Sequence, residues 1–168
     1  MKIFLTGSTG FVGKRILQDL LENKYQVRCI VRQGSGQKFA QNKDIDIVLG
    51  DITDAGSLTG KLAGCDAVIN LIGIIREFPG KGITFEKLHY EGTANLVRAA
   101  REQGVRRFIQ MSALGARREG KTQYQQTKFR AEECVRNSGL DYTIFRPSII
   151  YGPGDKFVNL FAGMLKTQ

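Results

Sequence analysis

The stretch KIFLTGSTGFVGKRILQDLL (residues 2–21) decides the fold of this 168-residue chain. A short, apolar, β-rich run, KIFLT, ends at Gly7, and apolar residues at helical spacing follow from Phe11. The loop between them, TGSTGFVG, carries Gly7, Gly10 and Gly13 at intervals of three. A strand, a glycine-rich turn and an amphipathic helix in this order are typical of a site that holds a pyrophosphate at the helix N-terminus.

Each glycine of the loop has a physical role in this interpretation. Gly7 makes the tight turn, Gly10 lets the backbone approach the pyrophosphate, and Gly13 lets the helix pack against the strand. The helix N-terminus adds N–H groups and the positive end of the helix dipole. The alternative is a turn that merely needs glycine. The position of the loop, directly after the first strand, favours the nucleotide site.

The same alternation of strand and helix continues along the chain. Further strands are predicted at VRCIV (27–31), IDIVLG (45–50), CDAVINLIG (65–73), VRRFIQMS (105–112) and DYTIFRP (141–147). Helices are predicted over residues 11–23, 54–62, 84–103 and 123–137, the last closed by Gly139. The pattern predicts an α/β fold with a doubly wound parallel sheet of six or more strands and helices on both faces. Residues 1–168 form a single domain in this interpretation.

The last twelve residues, FVNLFAGMLKTQ, have a separate pattern. One helical face carries Phe157, Leu160, Phe161, Met164 and Leu165. Such a face should pack on a sheet or a partner subunit, and the chain ends at Gln168. Either the face docks in one of these ways, or this chain is the N-terminal part of a longer protein whose substrate-binding part follows, and we expect the second.

Composition and charge limit the classes of molecule that the chain is expected to bind. The net charge of +9 suits a phosphate-bearing ligand, whereas no aromatic platform typical of a nucleic-acid surface is interleaved with the basic clusters at 98–107 and 117–128. No apolar run approaches the ~20 residues that span a bilayer. The N-terminus enters a strand-like segment at once, so a secretory signal is not expected. The three cysteines are far apart and lack metal-ligand spacing. We expect a cytoplasmic protein with reduced thiols and no metal site.

The ends of the second and third strands suggest which dinucleotide is bound. A carboxylate at the end of the second strand would bind the ribose 2′-hydroxyl of NAD, but Arg32 stands there. A guanidinium suits a 2′-phosphate, so NADP is preferred and NAD is the second choice; the alternative for Arg32 is a solvated loop residue. After the third strand, Asp51 is expected to accept from the adenine amino group, unless it or Asp54 caps the next helix.

The motifs TGSTGFVG, GDITD, NLIG, YQQTK and RPSIIYGPGD, in this order and spacing, resemble the short-chain dehydrogenase/reductase superfamily. SALGA, followed by YQQTKFRAEE and LDYTIFRPSIIYGPGD, is most similar to its atypical branch. That branch contains the nucleotide-binding accessory subunit of respiratory complex I and bacterial epimerase/dehydratase-like relatives. The resemblance covers residues 1 to 163 and implies an NAD(P)-binding Rossmann fold.

The resemblance also implies a cofactor-binding set. The glycine loop would bind the pyrophosphate, Asp51 and Ile52 would flank the adenine, and residues 147–150 would meet the nicotinamide end. The complete set is Gly7, Ser8, Thr9, Gly10, Phe11, Val12, Gly13, Arg32, Asp51, Ile52, Leu71, Ile72, Gly73, Lys128, Pro147, Ile149 and Ile150.

Ser112, Tyr124 and Lys128 are the candidate catalytic residues. Tyr124 and Lys128 are four residues apart and share one helical face, and Ser112 ends the fifth strand. The ammonium, together with the positive nicotinamide ring, is expected to lower the pKa of the phenol, so that Tyr124 shuttles a proton while Ser112 orients the substrate oxygen. Viewed alone, such a pair is usually a solvated face. His89 stands where active relatives often have an asparagine, either as a proton relay or as a packed helix residue.

Three functions follow as hypotheses. The first is an NADP-dependent oxidoreductase, or an epimerase or dehydratase with tightly held cofactor, acting on an unknown small molecule. The second is a nucleotide-binding scaffold or redox sensor that docks on a protein partner, such as an electron-transfer assembly, or forms a homodimer. The third, RNA binding, rests on charge alone.

Overall fold

The computed structural model describes residues 1–35 and 44–155, and within them six strands form one parallel sheet. The order is β3-β2-β1-β4-β5-β6. The strands are β1 (Lys2–Thr6), β2 (Gln26–Val31), β3 (Ile45–Leu49), β4 (Ala67–Asn70), β5 (Arg107–Met111) and β6 (Asp141–Phe145). After β3 the chain crosses to the other side of β1, so a crevice opens at the carboxyl ends of β1 and β4. The predicted doubly wound sheet is confirmed.

Helices cover both faces of the sheet. They are α1 (Phe11–Glu22), α2 (Gly92–Glu102) and α3 (Gln123–Arg136). In β1, Ile3 and Leu5 join the apolar cluster that contains Leu17 of α1, whereas Phe4 joins the cluster that contains Leu96 of α2. This alternation buries both faces, as a parallel sheet requires.

Three predicted elements differ from the observed ones. The predicted strand over 65–73 is limited to β4, because the Asn70 side chain accepts from the N–H of Ile72 and turns the chain away. The helix predicted over 54–62 is a single 3₁₀ turn, Ala55–Leu58, and Gly60 follows it with a φ of +70°. The long helix predicted over 84–103 begins as a π-helix, Glu86–Glu91, and runs directly into α2. The helix predicted from Phe157 to Leu165 lies outside the described residues.

Leu96 tests the core beneath α2. It is fully buried in the cluster against the sheet, so Leu96→Ala is expected to lower the free energy of unfolding by roughly 2–5 kcal/mol. Urea unfolding measures the loss. Arg98→Ala, an exposed change on the same helix, is the control and should stay within about 0.5 kcal/mol of the unchanged protein. Equal losses in the two variants would contradict this packing.

Candidate dinucleotide site

The glycine loop leaves no room for a side chain at Gly13. A Cβ at this position would lie 2.0 Å from the carbonyl oxygen of Gly7, so only glycine lets α1 approach the loop this closely. Gly7 has a φ of +72°, and its carbonyl accepts from the N–H of Gly10. Gly10 is the N-cap of α1, and no side chain caps the helix there. The N–H groups of the first turn of α1 are therefore available to hydrogen-bond an anion.

A cleft of about 260 Å³ opens beside this loop at the carboxyl edge of the sheet. Nine residues of the predicted cofactor set line it: Gly7, Thr9, Gly10, Arg32, Asp51, Ile52, Leu71, Ile72 and Gly73. Seven further lining residues were not predicted from the sequence: Ile30, Val31, Ser35, Gly50, Ile74, Ile83 and Leu88. Val31, Gly50 and Ile74 adjoin predicted residues, whereas Ile83 comes from a loop whose path has no sequence pattern.

The other predicted cofactor residues do not line this cleft. Ser8 is buried within the loop, and Phe11 and Val12 lie on the first turn of α1. Pro147, Ile149 and Ile150 follow β6, and the last two side chains are 60% and 41% exposed. Within the described residues, nine members of the predicted cofactor set therefore share one cleft, whereas Pro147, Ile149 and Ile150 do not line it.

Asp51 and Asp54, the two acidic residues after β3, have different roles, which the sequence had left open. Asp54 caps the 3₁₀ turn, since its carboxylate accepts from the N–H of Gly56 at 3.0 Å. Asp51 accepts from both the N–H and the hydroxyl of Thr53, at 2.9 Å each, and lines the cleft. Asp51 thus lies where the adenine contact was expected, held in place by Thr53.

A buried polar network supports the floor of the cleft. Thr6, at the end of β1, donates to the Asn70 side-chain oxygen at 2.7 Å, and its own hydroxyl oxygen accepts from the N–H of Leu71. The Asn70 amide donates to Gln110 and to Thr93. Because these buried groups satisfy one another, the ends of β1, β4 and β5 are held in fixed register.

Lys128 is buried although it carries an ammonium. Its side chain is 4% exposed and donates to the Met111 carbonyl at 3.2 Å. A Cβ at Gly73, which lines the cleft, would lie 2.9 Å from the Lys128 Nζ. Burial lowers the pKa of Lys128 to about 8, although the charge of Glu132 opposes that shift. Lys128 is therefore mostly charged at neutral pH and lies against the cleft wall.

Tyr124 is half-buried among aromatic rings rather than activated. It makes edge contacts with Phe85 and His89, at centroid distances of 5.6 and 5.3 Å. Burial raises the pKa of Tyr124. The expectation that Lys128 lowers this pKa is wrong for the protein without cofactor, because removal from water penalises the phenolate. Tyr124 is a neutral phenol here.

Ser112 lies at the end of β5, as predicted, but its hydroxyl has a different partner from the expected substrate. It is 3% exposed and donates its proton to the buried carboxylate of Glu132. A hydroxyl has one proton, so in this conformation Ser112 has none to give to a substrate oxygen. Sequence analysis missed Glu132. Its spacing, four residues after Lys128, was the available signal.

His89 is the packed helix residue of the two alternatives. It is 1% exposed, its Nε2 accepts from the N–H of Ile74 at 3.1 Å, and its Nδ1 lies 3.1 Å from the Thr127 hydroxyl. An accepting Nε2 places the ring proton on Nδ1, which donates to Thr127; that hydroxyl in turn donates to the Gln123 carbonyl. Burial, helped by the charge of Lys128, lowers the pKa of His89 to about 3.

Residues 7–158 match the family model described as NAD(P)H-binding. The chain belongs to this family. Its resemblance to short-chain dehydrogenase/reductase proteins of the extended and atypical branches is thereby confirmed. None of the described helices has the length and apolar character needed to cross a membrane.

The proteins that are similar to this chain carry names that state different functions. The chain is 31% identical to a ceramide reductase of Caulobacter vibrioides, over 91% of this chain and 47% of that protein. It is 31% identical to NADH dehydrogenase [ubiquinone] 1 alpha subcomplex subunit 9 of Arabidopsis thaliana, over 95% of this chain and 41% of that protein. The Bordetella bronchiseptica enzyme WbmH, solved with NAD+, has the same fold at a TM-score of 0.82 and 23% identity, over 99% of this chain and 63% of WbmH. The chain spans about half the length of the curated relatives it matches.

The protonation state of His89 gives a direct test of this packing. The chain has one histidine, so its imidazole NMR signal needs no assignment. We expect no titration step between pH 8 and 4 in the folded protein, and a midpoint near 6.5 in the urea-unfolded chain. A midpoint near 6.5 in the folded protein would show that His89 is exposed to water.

The lowered pKa of His89 also predicts how the stability of the protein changes as the pH falls. The folded pKa is depressed, so between about pH 6.5 and 3 the unfolded chain binds a proton that the folded chain does not. His89 then lowers stability as the pH falls, by about 1.4 kcal/mol for each pH unit inside that window. Urea unfolding at pH 6.5 and 5 measures the slope. His89→Gln is the comparison variant, and its slope should be shallower.

Proposed function

We propose that this chain binds NADP(H) in preference to NAD(H) and forms the cofactor part of a reductase site in which Tyr124 gives a proton to a substrate carbonyl. One observation carries the proposal. The Lys128 ammonium lies against Gly73, and Gly73 lines the same cleft as the glycine loop and Arg32. A buried cation beside a nucleotide cleft is more readily explained by a ligand than by stability, because burying an ammonium is unfavourable.

The glycine geometry fits a dinucleotide. The absence of any side chain at Gly7, Gly10 and Gly13 gives the backbone close access to a pyrophosphate, and the uncapped N-terminus of α1 supplies N–H donors. Asp51 and Ile52 supply the adenine side of the cleft. When bound, a reduced nicotinamide supplies a hydride to an electrophilic carbon.

The chain's own residues then supply the proton and the positive charge. The raised pKa of Tyr124 keeps its hydroxyl protonated, which suits a donor to the oxygen of a carbonyl under reduction. Lys128 would hold the nicotinamide ribose and stabilise the phenolate left after proton transfer. The protonated state of Tyr124 is the reason for preferring reduction to the reverse oxidation.

Selectivity for NADP is attributed to Arg32. It is exposed, lines the cleft at the end of β2, and is followed by a turn in which the Ser35 N–H donates to the Arg32 carbonyl. Ser35 lines the same cleft. A guanidinium and a hydroxyl on one turn suit a ribose 2′-phosphate.

Fluorescence titration with NADPH and NADH tests the cofactor proposal. We expect tighter NADPH binding, and we expect Arg32→Ala to weaken NADPH binding about tenfold or more, as for loss of a charged hydrogen bond, while NADH affinity stays unchanged. Arg101→Ala, a change of an exposed arginine on α2 away from the cleft, is the matched control. Equal weakening of both cofactors by Arg32→Ala would reject the 2′-phosphate role.

Tyr124→Phe tests the chemistry. The ring contacts with Phe85 and His89 are kept and the hydroxyl is lost. The variant should retain NADPH affinity and lose turnover of a carbonyl substrate by a factor of roughly 10²–10⁴, the usual contribution of a positioned acid. Steady-state rates with candidate ketones and aldehydes measure it. Turnover that survives the substitution would exclude Tyr124 as the proton donor.

A non-catalytic nucleotide-binding subunit is the second candidate. It is favoured by the Ser112 hydroxyl, which donates to Glu132 rather than facing the cleft, and by the likeness to the complex I subunit. This function predicts NADPH binding with no turnover, and stable co-purification with a partner protein when the chain is isolated from its source under mild conditions. A strictly solitary protein with Tyr124-dependent turnover would reject it.

A further inference from the structure

Glu132 of α3 is a fully buried carboxylate joined to three other side chains. Its exposed fraction is 0%. It accepts from the Ser112 hydroxyl, from Nε of Arg146 at 2.7 Å and from the guanidinium of Arg136 at 2.7 Å. A second contact with Arg146 makes that pair bidentate. The sequence offered no reason to single out this residue beyond its spacing from Lys128.

The hydrogen-bond partners of Glu132 explain how its negative charge is tolerated in a buried position. Burial raises the pKa of a carboxyl, but the hydrogen bonds from Arg146, Ser112 and Arg136 outweigh burial and lower the pKa of Glu132 below its ordinary value. Glu132 therefore stays ionised at neutral pH. A paired buried carboxylate of this kind is costly to break, because removing either partner leaves the other without compensation.

The carboxylate ties together the ends of two neighbouring strands. Ser112 directly follows β5 and Arg146 directly follows β6. The backbone continues this link, since the N–H of Ser112 donates to Phe145 and the N–H of Leu114 donates to Pro147, at 2.8 Å each. Glu132 thus fixes the point at which the segment starting at Pro147 leaves the sheet.

The same carboxylate is the negative charge that acts on Lys128. The two residues are four apart on one helix, so they share a face. Burial lowers the pKa of Lys128 to about 8, and Glu132 acts in the opposite direction. The charge of Lys128 acts on His89, and Arg136 and Arg146 are hydrogen-bonded to Glu132. Tyr124 shares the helix face of Lys128, four residues before it. His89 is neutral at physiological pH, and the two arginines are paired with the carboxylate.

We propose that Glu132 is a positioning residue of the dinucleotide site, which holds the ends of β5 and β6 through Ser112 and Arg146 and supplies the negative charge that keeps the Lys128 ammonium in the cleft wall. The cofactor-binding role of Lys128 rests on the proposed function above, but the effect of Glu132 on Lys128 does not. A structural support alone would not change the protonation of Lys128, and this difference makes the proposal testable.

NMR titration of ¹³Cε-labelled lysine measures the Lys128 midpoint directly, with Lys128→Met to assign the signal. In the unchanged protein we expect a midpoint of about 8. Glu132→Gln should move it about one pH unit lower, because the opposite charge is lost while burial remains. Glu133→Gln is the matched control: this neighbour is partly exposed and pairs with Arg136, and the midpoint should not move.

Arg146→Met keeps the test valid if Glu132→Gln does not fold, as judged by thermal unfolding. It removes a cation beside Glu132, which should move the Lys128 midpoint upwards, opposite to Glu132→Gln. Glu132→Asp keeps the charge and should return the midpoint close to that of the unchanged protein. An unchanged midpoint in folded Glu132→Gln, or in folded Arg146→Met, would overturn the proposal.

NADPH titration at pH 6.5 and 9 separates this proposal from the proposed function. If Lys128 holds the cofactor, affinity falls as the pH rises through its midpoint, and Glu132→Gln shifts that fall to lower pH. NMR midpoints that move as expected, without any NADPH binding, would support Glu132 and reject the cofactor role. NADPH binding whose pH dependence is the same in Glu132→Gln and the unchanged protein would reject the link between Glu132 and the site.

Discussion

The contact between Gly13 and the carbonyl of Gly7 is the constraint on which the site depends. A Cβ at Gly13 would lie 2.0 Å from that oxygen, a distance that no rotamer change relieves because both partners are backbone. The contact seats α1 directly on the end of β1. Its uncapped N-terminus then faces the crevice between β1 and β4, and the Thr6–Asn70 hydrogen bond holds those two strands in register beneath it.

Buried polar groups concentrate along the same edge of the sheet. Asn70, Lys128 and Glu132 are almost completely removed from water, and each is paired. Buried polar groups of this kind stabilise a protein no more than apolar residues of similar volume would. Losing one partner of such a pair lowers stability strongly, because the other partner stays buried without compensation. Their cost is understandable if they fix the positions and charges of a ligand site.

The sequence predicted the fold well because its signals are local. The apolar strands, the glycine loop and the lysine four residues after Tyr124 are each read within a few positions. The nine predicted residues that line the cleft came from the glycine loop, from the ends of the second and third strands and from the family resemblance. The features that the sequence could not predict depend on contacts between residues that are far apart along the chain. The partner of Ser112 is twenty residues away on another element. The raised pKa of Tyr124 comes from its burial, at a place where it contacts the rings of Phe85 and His89. The end of β4 at Asn70 was not predicted, because it depends on the Asn70 side chain accepting from the N–H of Ile72.

The protonation states of the site decide what it is suited to do. At neutral pH Tyr124 is a neutral phenol, His89 a neutral imidazole and Lys128 mostly an ammonium. With His89 held by Ile74 and Thr127, no proton relay passes through it, so the proton that Tyr124 can give is its own. In the proposed reduction, Tyr124 would give its own proton to a carbonyl oxygen and would be reprotonated from water, since the low pKa of His89 keeps its imidazole neutral near neutral pH.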